Sequence, residues 1–151
     1  MTLAVQLSDT ARSQPDSPSL PESEIEIRLR IDSLTEAIRH KNIDQLMPHY
    51  APDLVVYDLL PPLDVRGFAA YRKNLEKWFA SMAGRISYEM ADVQVMAGDT
   101  HAYSFCLGHV TGARAGGGRA DYWVRVTSGW QKIHGEWVVR HEHISMPTMM
   151  Y

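Results

Sequence analysis

The chain has 151 residues, a formal net charge of −3 and one cysteine, with 45% hydrophobic and 22% charged residues. That length suits one domain with a real core, and a near-balanced charge without a long basic run excludes a nucleic-acid footprint. No stretch reaches the roughly 20 apolar residues that cross a bilayer, so no membrane partner is expected. Cys106 has no second cysteine to pair with, which fits a reducing compartment and a cytoplasmic protein; inside an apolar strand it reads as an inert small hydrophobe.

The opening MTLAVQLSDTARSQPD has a short apolar run with no basic residue before it, a poor signal peptide. Residues 1–21 read as a flexible leader, because Ser, Pro and Asp offer little to bury against the entropy of ordering them. A first helix starts near Pro21 and Glu22, with Ser19 or Ser23 as cap and Glu22, Glu24 and Glu26 at its positive end. Ile27, Ile31, Leu34 and Ile38 make its apolar stripe. HKNIDQLMPHY reads as a break and a short second helix with Ile43, Leu46 and Met47 inward, limited by Pro48.

Leu54 to Asp58 is a short strand, and LLPPLDVRG is too proline-rich for regular structure. A third helix covers Phe68 to Met82, with Phe68, Tyr71, Leu75, Trp78, Phe79 and Met82 on one face and Gly84 as its stop. Four long strands follow: ISYEMADVQVMA, THAYSFCLGHVTGA, ADYWVRVTSGWQKI and EWVVRHEHISM. Gly98-Asp99, ARAGGGR and His134-Gly135 join them as hairpins. Strands this long must twist or curl, and a curled sheet with helices on its concave side encloses a tapering cavity.

Alternation sorts the strands into faces. Asp121, Trp123, Arg125 and Thr127 share one side of their strand, opposite Tyr122, Val124, Val126 and Ser128. Val139, His141, His143 and Ser145 oppose Arg140, Glu142, Ile144 and Met146. Tyr103, Phe105, Leu107, His109 and Thr111 form another row. Neither side is purely apolar, so alternation alone leaves open which one meets the helices; a second subunit on the other face would explain the mixture.

His141 and His143 point the same way, about 7 Å apart. Joined by His109 or Asp58 they would make a nitrogen-and-carboxylate metal site. The other readings are hydrogen-bonded histidines in a polar cavity or interface, and proton transfer without metal. Asp58 ends a hydrophobic strand, where desolvation would raise its pKa and suit it to accept a proton from carbon; alternatively it caps the PPLD turn. Arg125 pairs with Asp58 or Asp121, or clamps an anionic ligand. Tyr57, Trp78 and Trp123 belong to the core, the interface or the cavity wall. GARAGGGR lacks the phosphate-loop pattern and joins two strands.

The order of elements resembles the NTF2-like superfamily, specifically its SnoaL-like and ketosteroid-isomerase-like proteins, over residues 22–147, with residues 148–151 as a tail. The resemblance rests on KNIDQLMPHYAPDLVVYD after the first helix, RGFAAYRKNLEKWF, and the closing WQKIHGEWVVRHEHISMP. It implies an α+β, cystatin-like cone: three N-terminal helices packed on a strongly curved, mainly antiparallel sheet, dimeric through the outer sheet face, with a pocket inside. Asp58 matches the position of the family's general base. The tyrosine and aspartic acid that hold the oxyanion fall on Leu34 and near Gly129, so both donors are missing and steroid isomerisation is not implied. The resemblance also places His141, His143 and Ser145, with Arg125 and Thr127, on the pocket side. Asp58, Arg125 and Asp121 are similar to the Asp-Arg-Asp set of related epoxide hydrolases.

These readings give a small-molecule pocket lined by Tyr57, Trp78, His109, Asp121, Trp123, Thr127 and Ser145, with Asp58, His141, His143 and Arg125 as the chemical groups. Its expected chemistry is acid–base isomerisation, dehydration or hydrolysis of a compact carbonyl or cyclic compound, with no cofactor and no metal. The alternatives are a non-catalytic metabolite-binding or assembly module, whose expected partner is a second copy of the chain, and a metal-dependent pocket built on His141 and His143.

Overall fold

The computed structural model describes residues 20–148 and residue 150. The leader expected over residues 1–21, save its last two positions, lies outside the described residues, as does the proposed cap Ser19.

Helix α1 spans Glu22–Arg39 and buries Ile27, Ile31, Leu34 and Ile38, the expected stripe. Pro21 occupies the N-cap without a side-chain cap, so Ser23 lies inside the first turn rather than before it; Pro is suited to this end because its missing N–H would be unpaired there anyway. Polar residues pin α1 across the sheet. Glu26 accepts a hydrogen bond from Trp137 Nε1 at 2.8 Å, and Arg30 Nε donates to the Trp137 carbonyl at 3.0 Å. At the far end Arg39 Nε donates to the Tyr88 carbonyl at 2.8 Å.

Lys41, at φ 53°, breaks the chain direction, and Asn42 caps the one-turn helix α2, Ile43–Leu46, through Gln45 N–H at 3.1 Å. A 3-10 turn, Met47–His49, leads into β1, Tyr50–Tyr57. The strand starts earlier than its apolar run suggests, because its first residues pair with the final strand. The proline-rich stretch also contains a short strand, β2 (Val65–Arg66), which the expectation of wholly irregular structure missed; it pairs with Val55 and Val56.

Helix α3 covers Phe68–Ser81. Gly84 does not stop it: Met82 is already extended and buried, and Gly84 lies within the next strand, β3 (Met82–Ala97). The strands β4 (His101–Arg114), β5 (Arg119–Ile133) and β6 (Glu136–Ser145) complete the set. The sheet order is β2-β1-β6-β5-β4-β3, antiparallel throughout except for the parallel pair β1–β6. The expected α+β architecture with a curved sheet holds, with two refinements: the sheet is mixed, and only α1 and α2 precede it, α3 being inserted between β2 and β3. No described helix is long and apolar enough to cross a membrane.

Two irregularities decide which side chains reach the interior. In β3 the register shifts between Ala91 and Gln94, beside Asp92 at φ 53°, so the inward series changes from Ile86 and Tyr88 to Val93 and Val95. In β6 the register shifts between the pairs Gly129↔His141 and Trp130↔Val139, leaving Arg140 as an extra residue. A bulge of one residue moves everything beyond it to the other face of the strand. Trp137 and Val139 are therefore buried before the bulge, and Glu142 after it.

Gly108 marks a close approach in the wall of the interior. A Cβ there would lie 2.8 Å from Tyr88 Cε2 and 3.1 Å from Val124 Cγ2, so β4 leaves room for the Tyr88 ring to lie over its backbone. Gly108→Ala is expected to destabilise the fold by about 1–3 kcal/mol through overpacking. Urea denaturation checks this, and an unchanged midpoint would show that Tyr88 is free to move aside.

Candidate functional site

A cavity of about 350 Å³ lies between the helices and the inner sheet face, its mouth bordered by the loop after β1. That volume is in the range that accepts a small organic ligand. Three elements bring its polar groups together. The end of β1 supplies Asp58, α3 supplies Tyr71, Asn74 and Trp78, and the sheet supplies Tyr88, Tyr122 and Glu142.

Asp58 is held from two sides. Its Oδ1 accepts the Leu59 backbone N–H at 2.7 Å, and its Oδ2 accepts Asn74 Nδ2 at 2.6 Å. The first bond orders the start of the following loop, and the second ties the carboxylate to α3. Asn74 stands one helical turn from both Tyr71 and Trp78, so one face of α3 presents all three to the cavity.

Glu142 is only 6% exposed and lines the same cavity. Burial pushes its carboxyl up to about 7, with the negative charge of Asp58 adding to the rise; hydrogen bonding from Tyr71 and Ser128 opposes it. The Tyr71 hydroxyl donates to Glu142 Oε1 at 3.3 Å, and Ser128 is the residue directly opposite Glu142 on β5. Near neutral pH this carboxyl exists in both protonation states, which suits it to give or take a proton.

Tyrosines surround the acid. Tyr50 and Tyr71 pack edge to face, ring centroids 5.0 Å apart. Burial, then the Glu142 charge, holds the phenols of Tyr50, Tyr71 and Tyr88 well above their ordinary pKa, so they stay protonated donors. Trp78 meets Tyr88 edge to face at 6.3 Å, completing an aromatic wall. The Cys106 thiol, part-buried beside Met90 Sδ at 3.4 Å, is pushed up to about 11 by burial and then by Glu142. It is a protonated thiol at neutral pH, in line with the inert reading.

Of the residues expected at the site, Asp58 and Trp78 line this cavity. The others do not, because the faces of the sheet are assigned the other way round. Arg125, Thr127 and Trp123 alternate outward while Val124, Val126 and Ser128 are buried. His141 and His143 pair with outward-facing Gly129 and Thr127, and Ser145 with Arg125. On that outer face the Tyr57 ring sits 4.9 Å from His141 and 5.6 Å from His143, and His141 Nδ1 lies 2.7 Å from the Val55 carbonyl. His109 stacks on Trp123 at 4.4 Å and bonds Asp121 through Nε2 at 2.8 Å. Arg125 Nε donates to Ser145 Oγ at 3.2 Å, not to Asp58 or Asp121.

Asp58 and Arg125 are thus on different faces, and the Asp58-Arg125-Asp121 arrangement is not formed. Nor do the histidines gather a third ligand: among the described residues no three His, Cys, Asp or Glu side chains are placed to hold a metal ion. Glu142, Tyr71, Tyr50, Tyr88 and Asn74 are the cavity groups that sequence reasoning missed. The available signal was the pair of residues Ser128 and Glu142, polar positions in otherwise apolar inward rows.

The raised carboxyl couples stability to pH. Between about 4.5, its unfolded value, and about 7, its folded value, the folded chain binds more protons than the unfolded one, so stability falls as pH rises and levels off above that window. The expected loss from this group is on the order of 3 kcal/mol. Glu142→Gln keeps the shape and removes the charge, so the difference between wild type and variant in urea denaturation should track pH across the window. A difference independent of pH would mean that Glu142 titrates normally.

A sequence profile of SnoaL-like domains matches residues 27–149. No curated protein matches the chain. Among solved structures, an NTF2-like protein of unknown function from Pseudomonas putida KT2440 is similar with a TM-score of 0.77 at 29% identity, over 84% of this chain and 88% of that one. A candidate dehydratase of the NTF2-like family from Streptomyces avermitilis has a TM-score of 0.74 at 14% identity, over 84% and 97%. An NTF2-like protein with a cystatin-like fold from Novosphingobium aromaticivorans has a TM-score of 0.70 at 15% identity, over 83% and 82%. The last two likenesses bear on the fold alone.

Proposed function

This chain belongs to the family of SnoaL-like domains, with the NTF2-like, cystatin-like fold, and on that premise we propose that its cavity takes a neutral, planar carbonyl compound and moves protons on it. The observation that carries this reading is the pair of carboxyl groups at one cavity with unlike surroundings. Asp58 is an acceptor held by two hydrogen bonds, whereas Glu142 is buried with an upshifted carboxyl. Pairs separated in this way divide the roles of base and acid.

The reaction class that uses both is dehydration of a β-hydroxy ketone. Asp58 takes the proton from the carbon beside the carbonyl, and the C–H electron pair becomes the new C=C bond. The C–O bond of the β-hydroxyl breaks as Glu142, backed by the Tyr71 hydroxyl, protonates the departing oxygen to water. A proton has then passed from Glu142 to water and from substrate to Asp58, and exchange with solvent restores both. Isomerisation needs the same pair, with the proton returned to another carbon. The aromatic wall of Trp78, Tyr88 and Tyr122 supports a flat ligand. An anionic ligand would face Asp58 and Glu142, with the exposed Lys77 as the sole cation among the cavity-lining residues.

A second reading, compatible with the first, concerns assembly. Tyr57, Tyr103, Phe105, Leu107 and Trp123 stand exposed together on the outer face, and Tyr103 and Phe105 stack 6.4 Å apart. Apolar patches of this kind mark interaction surfaces. We propose that a second copy of the chain covers this one, as the family resemblance implies, and that Tyr57, Trp123, Arg125, His141 and His143 serve the interface rather than the chemistry.

Two measurements test these readings. With β-hydroxy ketones fused to a benzene ring as probes, formation of the conjugated enone is followed by absorbance; Asp58→Asn and Glu142→Gln should each slow it roughly a hundredfold to ten-thousandfold. Turnover that survives Asp58→Asn would sink the acid–base reading. Sedimentation velocity should show a dimer that Phe105→Glu converts to monomer, and a wild-type chain that sediments as a monomer would remove the assembly reading.

A further inference from the structure

A second groove, of about 540 Å³, opens where β3, β4 and the start of β5 meet the end of α1, and it shares no lining residue with the cavity. Three arginines line it, Arg39, Arg85 and Arg119, against one acid, Glu89. Ser87 and Thr111, direct cross-strand partners, place two hydroxyls between them. None of these residues belongs to the exposed aromatic patch.

The arginines are unequally committed. Arg39 spends Nε on the Tyr88 carbonyl and Nη1 on Glu36 at 3.1 Å, which fixes the guanidinium while leaving Nη2 unbonded. Arg85 approaches Glu36 only to 3.5 Å, and that carboxylate is already shared with Arg39 and with His40 at 2.7 Å. Arg119 takes part in no side-chain hydrogen bond or ion pair among the described residues. The local fold creates the cluster: the β3–β4 register shifts between Ala83 and Ser87, taking Arg85 out of the regular ladder, and Arg119 begins β5 opposite Ala113. Glu36 answers part of the charge of Arg39 and Arg85, and Glu89 lines the groove, which leaves Arg119 without an acid partner among the described residues; an anion that accepts from Arg119 and Arg85 together supplies one. Guanidinium forks match the oxygens of a tetrahedral oxyanion in pairs.

We infer that this groove is a binding site for a phosphate group, free or esterified to a small organic molecule. The phosphate oxygens accept from Arg85 and Arg119, with the fixed Arg39 and the Ser87 and Thr111 hydroxyls completing the donors. This site is built from side chains: of the hairpin ARAGGGR only the flanking Ala113 and Arg119 line it, and none of its three glycines does. It also stands apart from the acid–base reading of the cavity.

The test is isothermal titration of the full chain with inorganic phosphate and with phenyl phosphate, at low and physiological salt. Both ligands should bind, and the double substitution Arg85→Ala with Arg119→Ala should raise Kd at least about tenfold. Both side chains lie on the surface, and circular dichroism verifies that the variant folds. Arg85→Lys with Arg119→Lys keeps the charge and loses the forks, so it should fall between the two. Tighter binding of phenyl phosphate would identify an esterified ligand; equal binding would identify free phosphate. Absence of binding would overturn the inference, and so would an equal weakening from the remote charge removal Lys73→Ala, which would mean a diffuse charge effect.

Discussion

The register of β6 against β5 slips by one residue at Arg140, and the chemistry of the interior depends on that slip. Before it, Trp137 and Val139 fill the core beneath α1; after it, Glu142 turns inward beside the tyrosines while His141 and His143 turn out. Without the extra residue the strand would continue its alternation, sending the histidines to the inside and the acid to the surface. Arg140 itself is held outside, with Asp53 at 2.8 Å and Gln131 at 2.8 Å, so the bulge is anchored by ion pairing and hydrogen bonding rather than left loose. Bulges of this kind re-aim side chains near functional sites.

An acid placed in this interior has to be accommodated by its neighbours. Ionising a buried carboxyl is costly unless donors surround it. The Tyr71 hydroxyl and Ser128 offset part of that cost, and Asp58 adds to it, leaving the group near neutrality. The same desolvation keeps Tyr50, Tyr71 and Tyr88 protonated. The protonation of Glu142 and of these three tyrosines is therefore decided by burial first and neighbouring charge second. Helix α3 holds it in shape: Tyr71, Asn74 and Trp78 reach in from one face, while Asn74 fixes Asp58.

The sheet also separates two kinds of surface. Inside, aromatic walls and two carboxyl groups define a pocket; outside, aromatic side chains and histidines share one face. At the β3 edge, the arginine groove is distinct from both. A shared fold does not fix shared chemistry; in this chain the bulged strands decide which polar residues reach each side of the sheet.

Much of the architecture was legible in the sequence. The stripe of Ile27, Ile31, Leu34 and Ile38, the face of α3 and the four long strands follow from periodicities of 3.6 and 2 that reflect local geometry. Asp58 and Trp78 were identifiable because each lies on an element whose direction is set locally. What only the tertiary structure decided is the face of the sheet on which each polar group lies, and with it the replacement of His141, His143 and Arg125 by Glu142, Tyr71 and Asn74 at the cavity. Alternation relates residues within one strand and stops counting correctly at a bulge. Whether a bulge exists is settled by the hydrogen-bonded register against the neighbouring strand, and by how well the core accepts Trp137 on one side of Arg140 and Glu142 on the other.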